Sequence, residues 1–146
     1  MSGEEFSGQK LAKFLSIVTV VVAIYGLAAA HVPFLIGHPW SSCKVDNELG
    51  CVLAFHLLEV PIVLYQLFFA WYGISRLTVA TVGTFRLLLG CSILLNAVFG
   101  LFEATLLIET LKTNGPMWES LALTSLLVAF HIGVFFGLYV LNKLRG

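Results

Sequence analysis

The chain has 146 residues, 59% hydrophobic and 11% charged, with eight Lys+Arg balanced by eight Asp+Glu. A soluble domain is about a quarter charged, so these residues cannot cover a water-facing surface, and a disordered segment is excluded for the same reason. Without a net positive charge or a basic run, nucleic-acid binding is excluded as well, which leaves an integral membrane protein.

A bilayer core about 30 Å thick takes roughly 20 apolar residues of helix. Four such runs predict spans over about 14–32, 52–74, 85–108 and 118–141, forming one domain, an all-α four-helix transmembrane bundle. Pro33 is expected to close the first span, because proline disfavours helix in the residue before it. Arg76 closes the second, Asn114-Gly115-Pro116 separates the third from the fourth as a strong turn signal, and Lys143 and Arg145 end the fourth. The first span is read as uncleaved. Leu27-Ala-Ala-Ala30 looks like a signal-peptide site, but Glu4 and Glu5 stand in the leader and apolar sequence continues through Ile36.

Lys10, Lys13, Arg76, Arg86, Lys143 and Arg145 fall on one side of these spans; Lys44 and Lys112 fall on the other. The positive-inside rule then puts both termini in the cytoplasm, at the plasma membrane or a membrane of the secretory pathway. Cys43 and Cys51 lie in the connection facing the opposite, oxidising side, where a disulfide between them is expected.

Trp40, Cys43 and Cys51 together resemble the first-loop signature of the claudin family of four-span proteins. That family's Gly-Leu before the tryptophan is absent, and the loop is too short for its extracellular sheet. A cysteine pair after the first helix also resembles the vitamin K epoxide reductases, but the Cys-x-x-Cys pair they carry in a later helix is missing. The chain is assigned to neither.

Polar groups inside spans are where membrane proteins most often keep their chemistry. At about 1.5 Å per residue, Tyr25, His56, Glu59 and Glu103 form an upper layer and Thr19, Gln66, Asn96 and His131 a lower one. Each helix thereby acquires a polar stripe that lipid cannot satisfy, and the stripes are expected to turn inward toward each other. Two readings follow: hydrogen bonds that join the helices, or a pocket in which Glu59, Glu103 and His56 bind or relay protons or ions. Pro61 is expected to kink the second helix. Cys91, in the third span, is expected to be a small packing residue.

Neither a metal nor another cofactor is expected. His56 and His131 differ in depth by roughly 14 Å, too far apart to ligate one haem iron, and His38 with two cysteines falls short of a four-ligand zinc site. No catalytic motif occurs. Gly133 and Gly137 form a G-x-x-x-G run, a candidate surface for close helix packing, either within the chain or against a second copy or another membrane protein. The sequence thus predicts a non-enzymatic four-span protein acting in membrane-complex assembly, scaffolding or regulation. The alternative is a small proton- or ion-coupled channel, transporter or membrane enzyme using the buried carboxylates.

Overall fold

A computed structural model describes residues 6–36 and 48–145, with the side chains of residues 30, 33, 34 and 48–59 outside that description. Four helices follow in order: α1 (Gln9–Leu35), α2 (Glu48–Ser75), α3 (Val82–Lys112) and α4 (Met117–Arg145). Among the described residues there is no strand. Three stretches are long and apolar enough to cross a membrane, namely Gln9–Ala29 of α1, all of α3 and all of α4; the described side chains of α2 form a shorter apolar helix over Val60–Ser75.

The helices outrun the oily stretches that predicted them. α1 continues through Pro33 to Leu35, three residues past its expected end, and the Ile36 N–H still reaches the Val32 carbonyl at 3.1 Å. Proline disfavours helix in its predecessor but does not forbid it. α2 likewise runs unbroken through Pro61. At 31 residues, α3 is about 46 Å long, so its polar ends lie beyond any 30 Å hydrocarbon layer.

Each short connection has a local cause. Between α2 and α3, the Thr81 hydroxyl donates to the Arg76 carbonyl and accepts from the Thr78 N–H at 2.8 Å, which folds the loop on itself. Between α3 and α4, Asn114 takes a left-handed φ of 49°. The Gly115 N–H then reaches the Thr110 carbonyl at 2.9 Å and the Asn114 N–H the Leu111 carbonyl at 3.4 Å. This is the Schellman arrangement that satisfies a helix's last carbonyls.

The helices form a ring. α3 packs most extensively on α4 and α1 on α2, α1–α4 and α2–α3 complete the circuit, and neither diagonal pair approaches at the backbone among the described residues. Gly8, in a left-handed conformation at φ +87°, lies against Lys143 and Leu144, so the start of α1 and the end of α4 meet at one end of the bundle. The main core is at that end: Ala12, Leu15, Phe69, Phe85, Leu89 and Val140 are buried together, with the Phe69 and Phe85 rings stacked at 5.2 Å. Gly73 lets α2 approach Ser16 of α1 and Phe85 of α3, and a Cβ there would collide with both. The opposite end has a smaller cluster, Leu123 among Leu106, Leu107, Trp118 and Ala122 of the α3–α4 hairpin.

The outward surface is apolar. Val21, Leu64, Leu94, Leu101, Leu121 and Phe135 are among many large hydrophobic side chains that point away from the core. A water-soluble monomer rarely exposes contiguous apolar area on this scale.

Candidate functional site

Gln66 of α2 is buried, and an amide in an apolar interior needs a partner. It finds one across the interface, where the Ser92 hydroxyl of α3 donates to Gln66 Oε1 at 2.7 Å. One residue earlier, the Tyr65 hydroxyl donates to the Leu88 carbonyl at 2.7 Å. Adjacent residues of α2 are thus fixed to α3, one through a side chain and one through the backbone.

Asn96, expected in the same layer as Gln66, turns to the neighbouring interface instead. Its amide lies over Gly133 of α4, with Nδ2 2.7 Å and Cγ 3.1 Å from where a glycine Cβ would stand. Four residues on, Ile93 fills the corresponding space over Gly137, with Cγ1 at 2.8 Å, and Gly100 admits Phe130. The G-x-x-x-G face is therefore occupied by α3 of the same chain. Gly26, which stands at the same spacing from Ala30, faces nothing within 4 Å, so small residues four apart do not by themselves identify a contact.

His131 departs from the inward expectation. It is exposed on the outer face of α4, in a shallow groove with Leu127, Val128, Ile132, Phe135 and Phe136. Its Nδ1 is 2.8 Å from the Leu127 carbonyl, one turn back on the same helix. The cause is the competing face of α4. Leu126, Gly133, Gly137, Val140 and Leu144 form a seam at helical spacing, and close packing of that seam on α3 fixes the rotation of α4. His131, two residues from Gly133 and so about 200° round the helix, must point away. Thr124 also faces out, donating to the Ser120 carbonyl at 2.7 Å.

In the upper layer, the Tyr25 hydroxyl of α1 lies 2.6 Å from the Ser125 hydroxyl of α4. Ser125 itself donates to the Ala122 carbonyl at 2.8 Å, so Tyr25 is the donor between the two hydroxyls. Glu103 is half-buried on α3. The side chains of His56 and Glu59 lie outside the described residues, as do Cys43 and the side chain of Cys51, so the expected carboxylate cluster and disulfide fall there too. Thr19 donates to the Leu15 carbonyl of its own helix at 2.8 Å.

Gln66 with Ser92 and Tyr25 with Ser125 thus form separate pairs, while His131 and Thr19 bond within their own helices. Among the described residues, no three His, Cys, Asp or Glu side chains gather as a metal site would require. Cys91, expected to be a small packing residue, is exposed on α3. Sequence reasoning missed Ser125 as the partner of Tyr25 and Ser16 as the residue seated on Gly73. A serine in an apolar helix carries no signal of which neighbour it will meet.

At the end where α1 starts and α4 finishes, Arg76 lies over the Trp71 ring at 5.7 Å and Lys143 over the Tyr139 ring at 5.5 Å. Cations resting on aromatic faces in this way gain roughly 0.5–1 kcal/mol at exposed positions, and both residue types are usual at a membrane–water boundary. No protein-family model, curated protein or solved structure matches the chain.

Proposed function

We propose that this chain is a four-span membrane protein with both termini in the cytoplasm, acting without catalysis in the assembly, scaffolding or regulation of a membrane complex at the plasma membrane or in the secretory pathway. The observation that supports this reading is that four of the described polar side chains are committed separately. Gln66 is bonded to Ser92, Tyr25 to Ser125, and His131 and Thr19 to their own helices. The first two pairs join helices and the last two bonds stay within one, which leaves the largely apolar outward surface as the means of interaction. The orientation is supported by the six cations at the end of the termini, two of them resting on aromatic rings. With that orientation, Cys43 and Cys51 face an oxidising compartment, and a disulfide between them belongs to the same proposal.

Reconstitution in sealed vesicles tests it. The purified chain is expected to carry no proton or cation flux above that of protein-free vesicles under an imposed gradient. Flux that is lost in both Glu59→Gln and Glu103→Gln would replace this reading with a transport function.

A further inference from the structure

The groove on the outer face of α4 holds a polar atom that nothing in the described residues satisfies. A carbonyl oxygen only accepts, so the 2.8 Å contact of His131 Nδ1 with the Leu127 carbonyl places the ring's proton on Nδ1. In the neutral ring Nε2 is then an acceptor, on a side chain that is exposed. His131 is also the middle residue of the 29-residue α4. Read as a span, α4 puts this acceptor near the bilayer midplane, about 15 Å from either edge of the hydrocarbon.

That depth selects the occupant. Lipid hydroxyls and phosphates sit at the interface and cannot reach the midplane. A second copy paired two-fold through His131 itself would set one bare Nε2 against another, with no proton between them. Among the described residues, the exposed or half-exposed hydroxyls of Thr19, Thr105 and Thr124 already donate to carbonyls of their own helices, and the Asn96 amide is turned onto Gly133 of the same chain. A transmembrane helix of a different protein can present a donor at this height. Val128, Ile132 and Phe135, on either side of His131, are 53%, 54% and 68% exposed and offer an apolar bed of about 450 Å³ for such a helix.

We propose that the His131 groove on α4 docks a transmembrane helix of another protein that carries an amide or hydroxyl donor near its middle, hydrogen-bonded to His131 Nε2. The proposal rests on the membrane-assembly reading above and names its contact site.

The probes are two leucine-rich transmembrane peptides, identical except for one central asparagine, mixed at low density with the fluorescently labelled full chain in phosphatidylcholine vesicles. Protease protection of the labelled chain first verifies insertion. Energy transfer should show a preference for the asparagine peptide of about three- to fifteen-fold, the range that one interhelical hydrogen bond gives. His131→Phe should abolish the preference and His131→Gln, which retains an acceptor, should restore part of it. Equal transfer to both peptides, or a preference unchanged in His131→Phe, would overturn the proposal. So would strong transfer between differently labelled copies of the chain that disappears in His131→Phe, since it would make a second copy the occupant. Ion flux bears on the functional reading separately, so the two can fail independently.

Discussion

The amide of Asn96 on α3 lies directly over the backbone of Gly133 on α4, with its Nδ2 2.7 Å from the point that a Cβ would occupy. A turn further along, Gly137 meets Ile93 Cγ1 at 2.8 Å. The two glycines should differ in tolerance. In Gly133→Ala the close atom is the end of a flexible side chain, which can swing aside. In Gly137→Ala it is a branched chain held against Leu89, and in Gly73→Ala the collision is with Ser16 and Phe85 in the densest part of the core. Overpacking of this kind costs about 1–3 kcal/mol. Unfolding of the purified chain in mixed micelles should therefore rank Gly73→Ala and Gly137→Ala well below wild type, with Gly133→Ala between. Gly26→Ala, which meets nothing within 4 Å, should lose no stability. A larger loss in Gly26→Ala than in Gly73→Ala would contradict the packing described.

The Ser92–Gln66 bond makes a second, separable prediction. Ser92→Ala leaves the buried Gln66 oxygen without its donor, whereas Gln66→Leu removes the need for one. Stranding a buried partner is the costlier of the two. In the first case the expected loss is about 1–2 kcal/mol, and in the second less, because Ser92 can turn to a carbonyl of its own helix as Ser16 does with Ala12 at 2.9 Å. A double-mutant cycle should give a coupling of about 0.6 kcal/mol and no more than about 2. Zero coupling would mean that the two side chains do not bond in the bilayer.

These contacts also show what could be read from the residues alone. The number of helices and the turn between α3 and α4 were legible, because an apolar run of about 20 residues and a turn such as Asn114-Gly115-Pro116 are local signals. Their ends were less so. Hydropathy marks the oily stretch, but the helix hydrogen-bond ladder continues through Gln9–Lys13 before it and Glu109–Lys112 after it. Inward placement held for Gln66 but failed for His131, because rotation of a helix is set by its best-packing face, which here is the glycine seam. The partners Ser92 and Ser125 depend on the axial offset between two helices, and nothing within either helix encodes that offset.

The α3–α4 turn can be tested by backbone conformation alone. Asn114 sits at φ 49° just beyond the helix end, in the left-handed region that costs ordinary L-residues roughly 1–2 kcal/mol and glycine almost nothing. Asn114→Gly should hold or raise stability. Asn114→Val, with a branched side chain forced into the same conformation, should lower it by about 1–2 kcal/mol. If valine were tolerated as well as glycine, the Schellman hydrogen bonds from Asn114 and Gly115 would not be what closes this hairpin.

Thiol chemistry tests orientation and the proposed disulfide together. On the proposed topology, Cys43 and Cys51 lie in the non-cytoplasmic connection, whereas Cys91 lies exposed on α3, within the hydrocarbon. A membrane-impermeant maleimide added to intact cells should therefore label none of the three before reduction, since two are paired and the third is out of its reach. Reduction by an impermeant phosphine should then expose two reactive thiols, on intact cells for a chain at the plasma membrane and after full permeabilisation for one in the secretory pathway. Closing so short a loop contributes roughly 2–3 kcal/mol in the chain-entropy model, so the reduced chain should also unfold more readily in micelles. Labelling of both loop cysteines without reduction would remove the disulfide from the proposal while keeping the orientation. Labelling of the unreduced loop cysteines once the plasma membrane alone is permeabilised, with internal membranes intact, would place the loop in the cytoplasm and invert the topology.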